Sequence, residues 1–116
     1  MKIILNNIEY EINEVSQEEY KKYKKDEDKR LACEEVDTSK GVYFGASHYA
    51  TNKIFIDKDL PIDRKKKVLL HELAHCYIGE YITHEEKQYN EEDVADIISN
   101  SFYIIKNIIE KYFKEK

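Results

Sequence analysis

Two histidines four residues apart, His71 and His75, stand in "KVLLHELAHCYIGEY" with Glu72 directly after the first. On a helix that spacing is about one turn, so both imidazoles project from one face and can converge on a single ion. Glu72 is placed to reach a water on that ion. Two nitrogen ligands and a general base from one helix are what zinc-assisted hydrolysis needs. The same five residues also fit a plain core helix whose histidines hydrogen-bond to neighbours, so a further ligand has to decide. The extended pattern H-E-x-x-H-x-x-G-x-x-H requires glycine at position 78 and histidine at 81; Ile78 and Tyr81 stand there instead. A carboxylate from elsewhere fits better. In "NEEDVAD", Glu92 and Asp96 are four apart on one helical face with the small Ala95 between them. Glu92 can be the third ligand, and Asp96 can orient a ligating imidazole by accepting its other ring N–H. A rival reading makes His84 the third ligand.

These residues need elements to hold them. "KIILNNIEYEINEV" alternates around Asn6-Asn7 and reads as a strand or hairpin, with Ile8, Tyr10 and Ile12 on one face. "SQEE" is a capping box, Ser16 with Glu19, opening a very polar helix in which Tyr20, Tyr23, Leu31 and Ala32 can face a core. Val42 to Ser47 and Lys53 to Asp57 form a second hairpin around Thr51-Asn52. Asp59 and Pro61 then signal a helix start. From Val68 to Ile78 the segment is apolar nearly all round, which predicts a helix buried by its neighbours. Asn90 caps the last helix, whose apolar positions Val94, Ile97, Ile98, Phe102, Ile105, Ile108, Ile109 and Tyr112 keep helical spacing.

"NKIFIDKDLPIDRKKKVLLHELAH" followed by "NEEDVADIISNSF" resembles the ImmA/IrrE-type metallopeptidases, a branch of the thermolysin-like zincins. The likeness covers Lys53 to about Phe102. It implies His71, His75 and Glu92 as ligands of Zn2+, Glu72 as catalytic base and Asp96 behind a ligand. It also implies that the Lys53–Asp57 strand is the sheet edge along which substrate backbone lies. Regulatory members of that family cleave repressors of phages and mobile elements, which implies a protein or peptide substrate of that kind and a minimal phage-type member. The fold expected is α+β: a minimal zincin-like fold with a small antiparallel or mixed sheet packed on the H-E-x-x-H helix and a long C-terminal helix, one domain over residues 1–116.

Composition bounds the function. A net charge of −5 over 116 residues lacks the positive field that backbone-driven nucleic-acid binding needs. The basic runs "KKYKK" and "RKKK" read as solvated helix faces. No apolar stretch reaches the ~18 residues of a membrane span, and the start is too short for a signal peptide, so the cytoplasm is the expected compartment. Cys33 and Cys76 are too few and too far apart for a disulfide framework or a thiolate zinc site, and free thiols are expected. Cys76 points about 100° around the helix from His75 and belongs to the packing. Tyr81, His84 and Tyr89 are candidate oxyanion or substrate contacts, as are His48 and Tyr49 in the hairpin turn. The alternative to a peptidase is a zinc-stabilised binding module of phage or mobile-element origin, its metal closed by a fourth protein ligand such as His84 or Cys33. Oligomeric state is not legible.

Overall fold

The computed structural model describes residues 1–30, 43–48, 50–81 and 89–114. In chain order the elements are β1 (Lys2–Leu5), β2 (Ile8–Val15), α1 (Gln17–Arg30), β3 (Gly45–His48), β4 (Lys53–Asp57), α2 (Ile62–Tyr81) and α3 (Glu91–Lys114). The expected α+β architecture, a small mixed sheet with helices, is what forms.

Asn6 and Asn7 take the left-handed conformation, at φ 47° and 67°, which a two-residue hairpin turn requires and asparagine tolerates. β1 and β2 therefore pair antiparallel, Ile3 opposite Tyr10. Asn52, at φ 54°, does the same service before β4, which pairs antiparallel with β3. The two hairpins join through a parallel β2–β4 ladder, giving the order β1-β2-β4-β3. This corrects one expectation: Lys53–Asp57 is an interior strand, and the edge on that side is β3. The hairpin itself was legible, but which of its strands turns inward depends on the long-range pairing with β2.

Alternation sorts side chains to the two faces of the sheet. Ile3, Leu5, Tyr10, Ile12, Ile54 and Ile56 form a core with Leu69, Leu73, Cys76 and Tyr77 of α2 and with Ile105 and Tyr112 of α3. Ile8, grouped with Tyr10 and Ile12 by sequence, ends exposed at the hairpin turn. The opposite face carries Phe55, Asp57 and His48, covered by α1. There Tyr20 stacks on Tyr43 at 4.0 Å and meets Phe55 edge-on. The capping box of α1 forms as expected, Ser16 Oγ accepting from Glu19 N at 3.1 Å and Ser16 N donating to the Glu19 carboxylate. Gln17 ties this layer down, donating to Tyr43 O at 2.7 Å and to the buried Asp57 carboxylate at 2.8 Å. Burial, followed by the Asp57 charge, holds the Tyr43 phenol above the usual tyrosine range. Leu31 and Ala32 lie outside the described residues.

Helix α2 is not buried all round. Leu69, Glu72, Leu73, Cys76 and Tyr77 make its dry face, while Leu70, His71 and His75 are exposed, because the sheet and α3 cover only part of its circumference. Its two halves are pinned separately. Glu14 of β2 pairs with Lys65 at 2.6 Å and accepts from Tyr112 of α3 at 2.5 Å. At the other end, the β1–β2 turn donates from Asn6 N to Tyr81 Oη at 2.7 Å and from Asn6 Nδ2 to Glu80 O at 2.8 Å, and Tyr10 donates to the Glu80 carboxylate. In α3, capped by Asn90 accepting from Asp93 N at 2.8 Å, the inward positions are Ser101, Ile105 and Tyr112. Val94, Ile98 and Phe102, which share the helical spacing, remain exposed.

Candidate metal centre

Because α2 is regular through its middle, His71 and His75 present their rings on adjacent turns of the wet face, with Nε2 atoms 3.1 Å apart. Two ligand nitrogens on a tetrahedral zinc, each at about 2.0–2.1 Å, stand roughly 3.3 Å from one another. The imidazole pair therefore already has the bite of a chelate. Glu72 completes a trio whose potential ligand atoms all lie within 4.8 Å of one another. A His-Glu-His group of this kind can hold a metal ion.

Glu72 differs from its neighbours in burial. It sits about 100° around the helix from His71, so the histidines face solvent while the glutamate is only 6% exposed. A buried carboxylate needs a hydrogen-bond donor. Ser47 on β3 supplies it, placing Oγ 3.2 Å from Glu72 Oε2 and 3.3 Å from Glu72 O. The strand register sets this up: Ser47 lies opposite Ile54, and Gly45 opposite Ile56, so both odd-numbered residues of β3 face α2. Gly45 is there for space. A β-carbon built on it would lie 2.3 Å from Val68 Cγ1 and 3.2 Å from Glu72 Cγ. Cys76, one turn beyond Glu72, points its thiol at Ser47 Oγ across 3.8 Å. Burial pushes that thiol up to about 11, against an ordinary 9, so it stays protonated at neutral pH. The expectation that Cys76 belongs to the packing agrees with its complete burial.

The other candidates fall elsewhere. Glu92 and Asp96 are exposed in the first turns of α3 and stand outside the His71–Glu72–His75 group. Tyr81 accepts from Asn6 and stacks on Tyr77 at 4.6 Å, which makes it part of the clasp at the end of α2. Tyr89 is exposed just ahead of α3. His48 lies on the far face of the sheet, its Nε2 hydrogen-bonded with Tyr20 Oη at 2.9 Å. His84, Cys33 and Tyr49 lie outside the described residues. Ser47 and Gly45 escaped sequence reading; the only signal was two small residues at alternate positions of a strand in "GASH".

A family model described as the IrrE N-terminal-like domain, a peptidase family, covers residues 18–115. No curated protein and no solved structure matches the chain. Among the described residues no helix is long and apolar enough to cross a membrane. The matched span takes in α1, the β3–β4 hairpin, the H-E-x-x-H helix and α3, and the chain belongs to the IrrE N-terminal-like peptidase family.

Proposed function

We propose that the protein is a zinc-dependent endopeptidase acting in the cytoplasm on a protein or peptide, with a regulatory protein of a phage or mobile element as the substrate that the family resemblance implies. The observation that carries this reading is the pair of imidazole nitrogens 3.1 Å apart, with a carboxylate in the same cluster. Bound zinc lowers the pKa of its water to about 7 and polarises the scissile carbonyl. His71 and His75 would hold the ion, their Nε2 atoms lying 3.1 Å apart. Glu92 is the proposed third ligand and Asp96 the acceptor behind an imidazole, with His84 the rival for the third place.

Glu72 takes the proton from the attacking water and returns it to the departing amine, a role that needs a carboxylate fixed beside the ligands. The edge strand β3 offers backbone groups to an extended substrate, as exposed strand edges do for added peptide. That His71 and His75 are exposed favours an open site over a closed structural one.

The test combines zinc analysis with digestion of denatured casein by the parent and by Glu72→Gln. Stoichiometric zinc in both proteins, with cleavage only by the parent, is expected. A folded protein that takes up no zinc sinks the proposal. Zinc closed by four protein ligands, with no cleavage, turns it into the binding-module reading. Loss of zinc in His84→Ala but not in Glu92→Ala reassigns the third ligand.

A further inference from the structure

We propose that Ser47 is a positioning residue for Glu72: from the edge strand its hydroxyl holds one oxygen of the carboxylate, leaving the other to receive a proton. The inference rests on the peptidase reading for its kinetic consequence, but the positioning can be observed without turnover.

The geometry makes a short chain of donors. Ser47 Oγ is 3.2 Å from Glu72 Oε2 and shares its hydrogen with Glu72 O at 3.3 Å. A serine hydroxyl has one hydrogen and two acceptor positions, so its rotor is set by whatever donates to it. Cys76 is that donor, its Sγ 3.8 Å from Ser47 Oγ. With the Cys76 thiol donating to Ser47 Oγ, the Ser47 hydrogen is left for Glu72. Both partners come from the dry face of α2, one turn apart, and reach the same residue of β3. Gly45 lets the strand come this close, since a side chain there would meet Val68 and Glu72 first.

Without Ser47 the buried carboxylate has freedom about its last torsions, and its catalytic orientation becomes one of several. A hydrogen bond to a charged group contributes roughly a ten- to hundredfold factor when it is made only in the productive geometry. The experiment uses zinc-loaded parent, Ser47→Ala, Ser47→Thr and Ser47→Cys, with crystal structures of each and kcat and KM on fluorescently labelled casein. For Ser47→Ala, kcat is expected to fall about ten- to hundredfold, with KM and zinc content little changed and the thermal midpoint lowered, because the buried carboxylate loses its donor. The Glu72 carboxylate should lose its single orientation. Ser47→Thr should restore both readouts, and Ser47→Cys, with its weak donor, should fall between; it decides the matter if Ser47→Ala does not fold.

A Glu72 carboxylate that keeps its orientation in the alanine or cysteine variant overturns the proposal, as does a rise in KM with kcat intact. If the parent and Glu72→Gln are equally inert toward casein, the peptidase reading fails. The crystallographic comparison then still decides whether Ser47 positions Glu72.

Discussion

Replacing Gly45 with alanine tests how the edge strand is held against the metal-bearing helix. The new β-carbon would lie 2.3 Å from Val68 Cγ1, 3.2 Å from Glu72 Cγ and 3.2 Å from Phe55 O. Ordinary carbon–carbon contact is about 3.5–4.0 Å, so the first distance cannot stand. Val68 is β-branched and stiff about χ1, and pushing it off its rotamer costs about 0.5–1.5 kcal/mol. Shifting β3 instead would stretch the Ser47–Glu72 contact. Overpacking of this kind costs about 1–3 kcal/mol, and about 2 kcal/mol is expected here. For a domain of this length, that is roughly 8 °C in Tm. Urea unfolding is the assay, with the midpoint falling at constant slope. Adding Val68→Ala removes the obstructing methyl, so the double variant should be at least about 1 kcal/mol more stable than additivity of the two single changes predicts. Gly45→Ala at parental stability, or a strictly additive cycle, refutes the close-approach argument.

Glu14→Ala should destabilise by about 2–3 kcal/mol in the same assay, since it removes the carboxylate that pairs with the largely buried Lys65 and accepts from Tyr112 Oη. Parental stability would show that the three-element tie contributes nothing. Asn90→Ala should cost about 1 kcal/mol by removing the acceptor for Asp93 N, with a smaller loss for Asn90→Gly. At high pH the sign is set by three raised acids. Cys76 is lifted from 9.0 to about 11 by burial, and Tyr43 and Tyr112 are lifted above 10.0. The folded state therefore keeps protons that the unfolded chain releases. Stability should be full below about pH 9, decline through the thiol window up to about 11, and decline further as the tyrosines join in. Cys76→Val should remove the early part of that decline, and urea midpoints that stay flat to pH 11 would count against the burial of these groups.

Local chemistry was legible wherever one stretch of chain contained all its parts. "HELAH" fixes two ligand nitrogens and a carboxylate through helix geometry alone. Ser16 with Glu19, and Asn90 with Asp93, are caps whose donors and acceptors sit three residues apart. Asn6-Asn7 announces its own turn. What depended on long-range pairing was not legible. The parallel β2–β4 ladder put Lys53–Asp57 inside the sheet, and no local pattern distinguishes an interior strand of five residues from an edge strand. The apolar run around His71 predicted a helix buried all round. Its wet face exists because α3 commits Ser101, Ile105 and Tyr112 inward and leaves Val94, Ile98 and Phe102 in solvent. Ser47 was invisible because its partner is a helix away, and a serine in a short strand carries no mark of what it faces.

The hairpin formed by β1 and β2 has a consequence for the order in which the molecule assembles. Its grip on the end of α2 joins residues 74 and 75 positions apart, whereas the contact between Ser47 and Glu72 spans only 25. Closing the longer loop costs more chain entropy, so this contact of the hairpin's turn with α2 forms late and is lost early, while β2 stays paired with β4. The hairpin also lies wholly ahead of the region that the family model matches, which starts at residue 18. In hydrogen exchange the molecule should behave as two cooperative units: the Asn6 and Glu80–Tyr81 amides opening together at low free energy, and the β4 amides and the middle turns of α2 opening only with global unfolding. The clasp can then breathe, or tolerate fusion to other sequence, while the imidazole pair keeps its spacing.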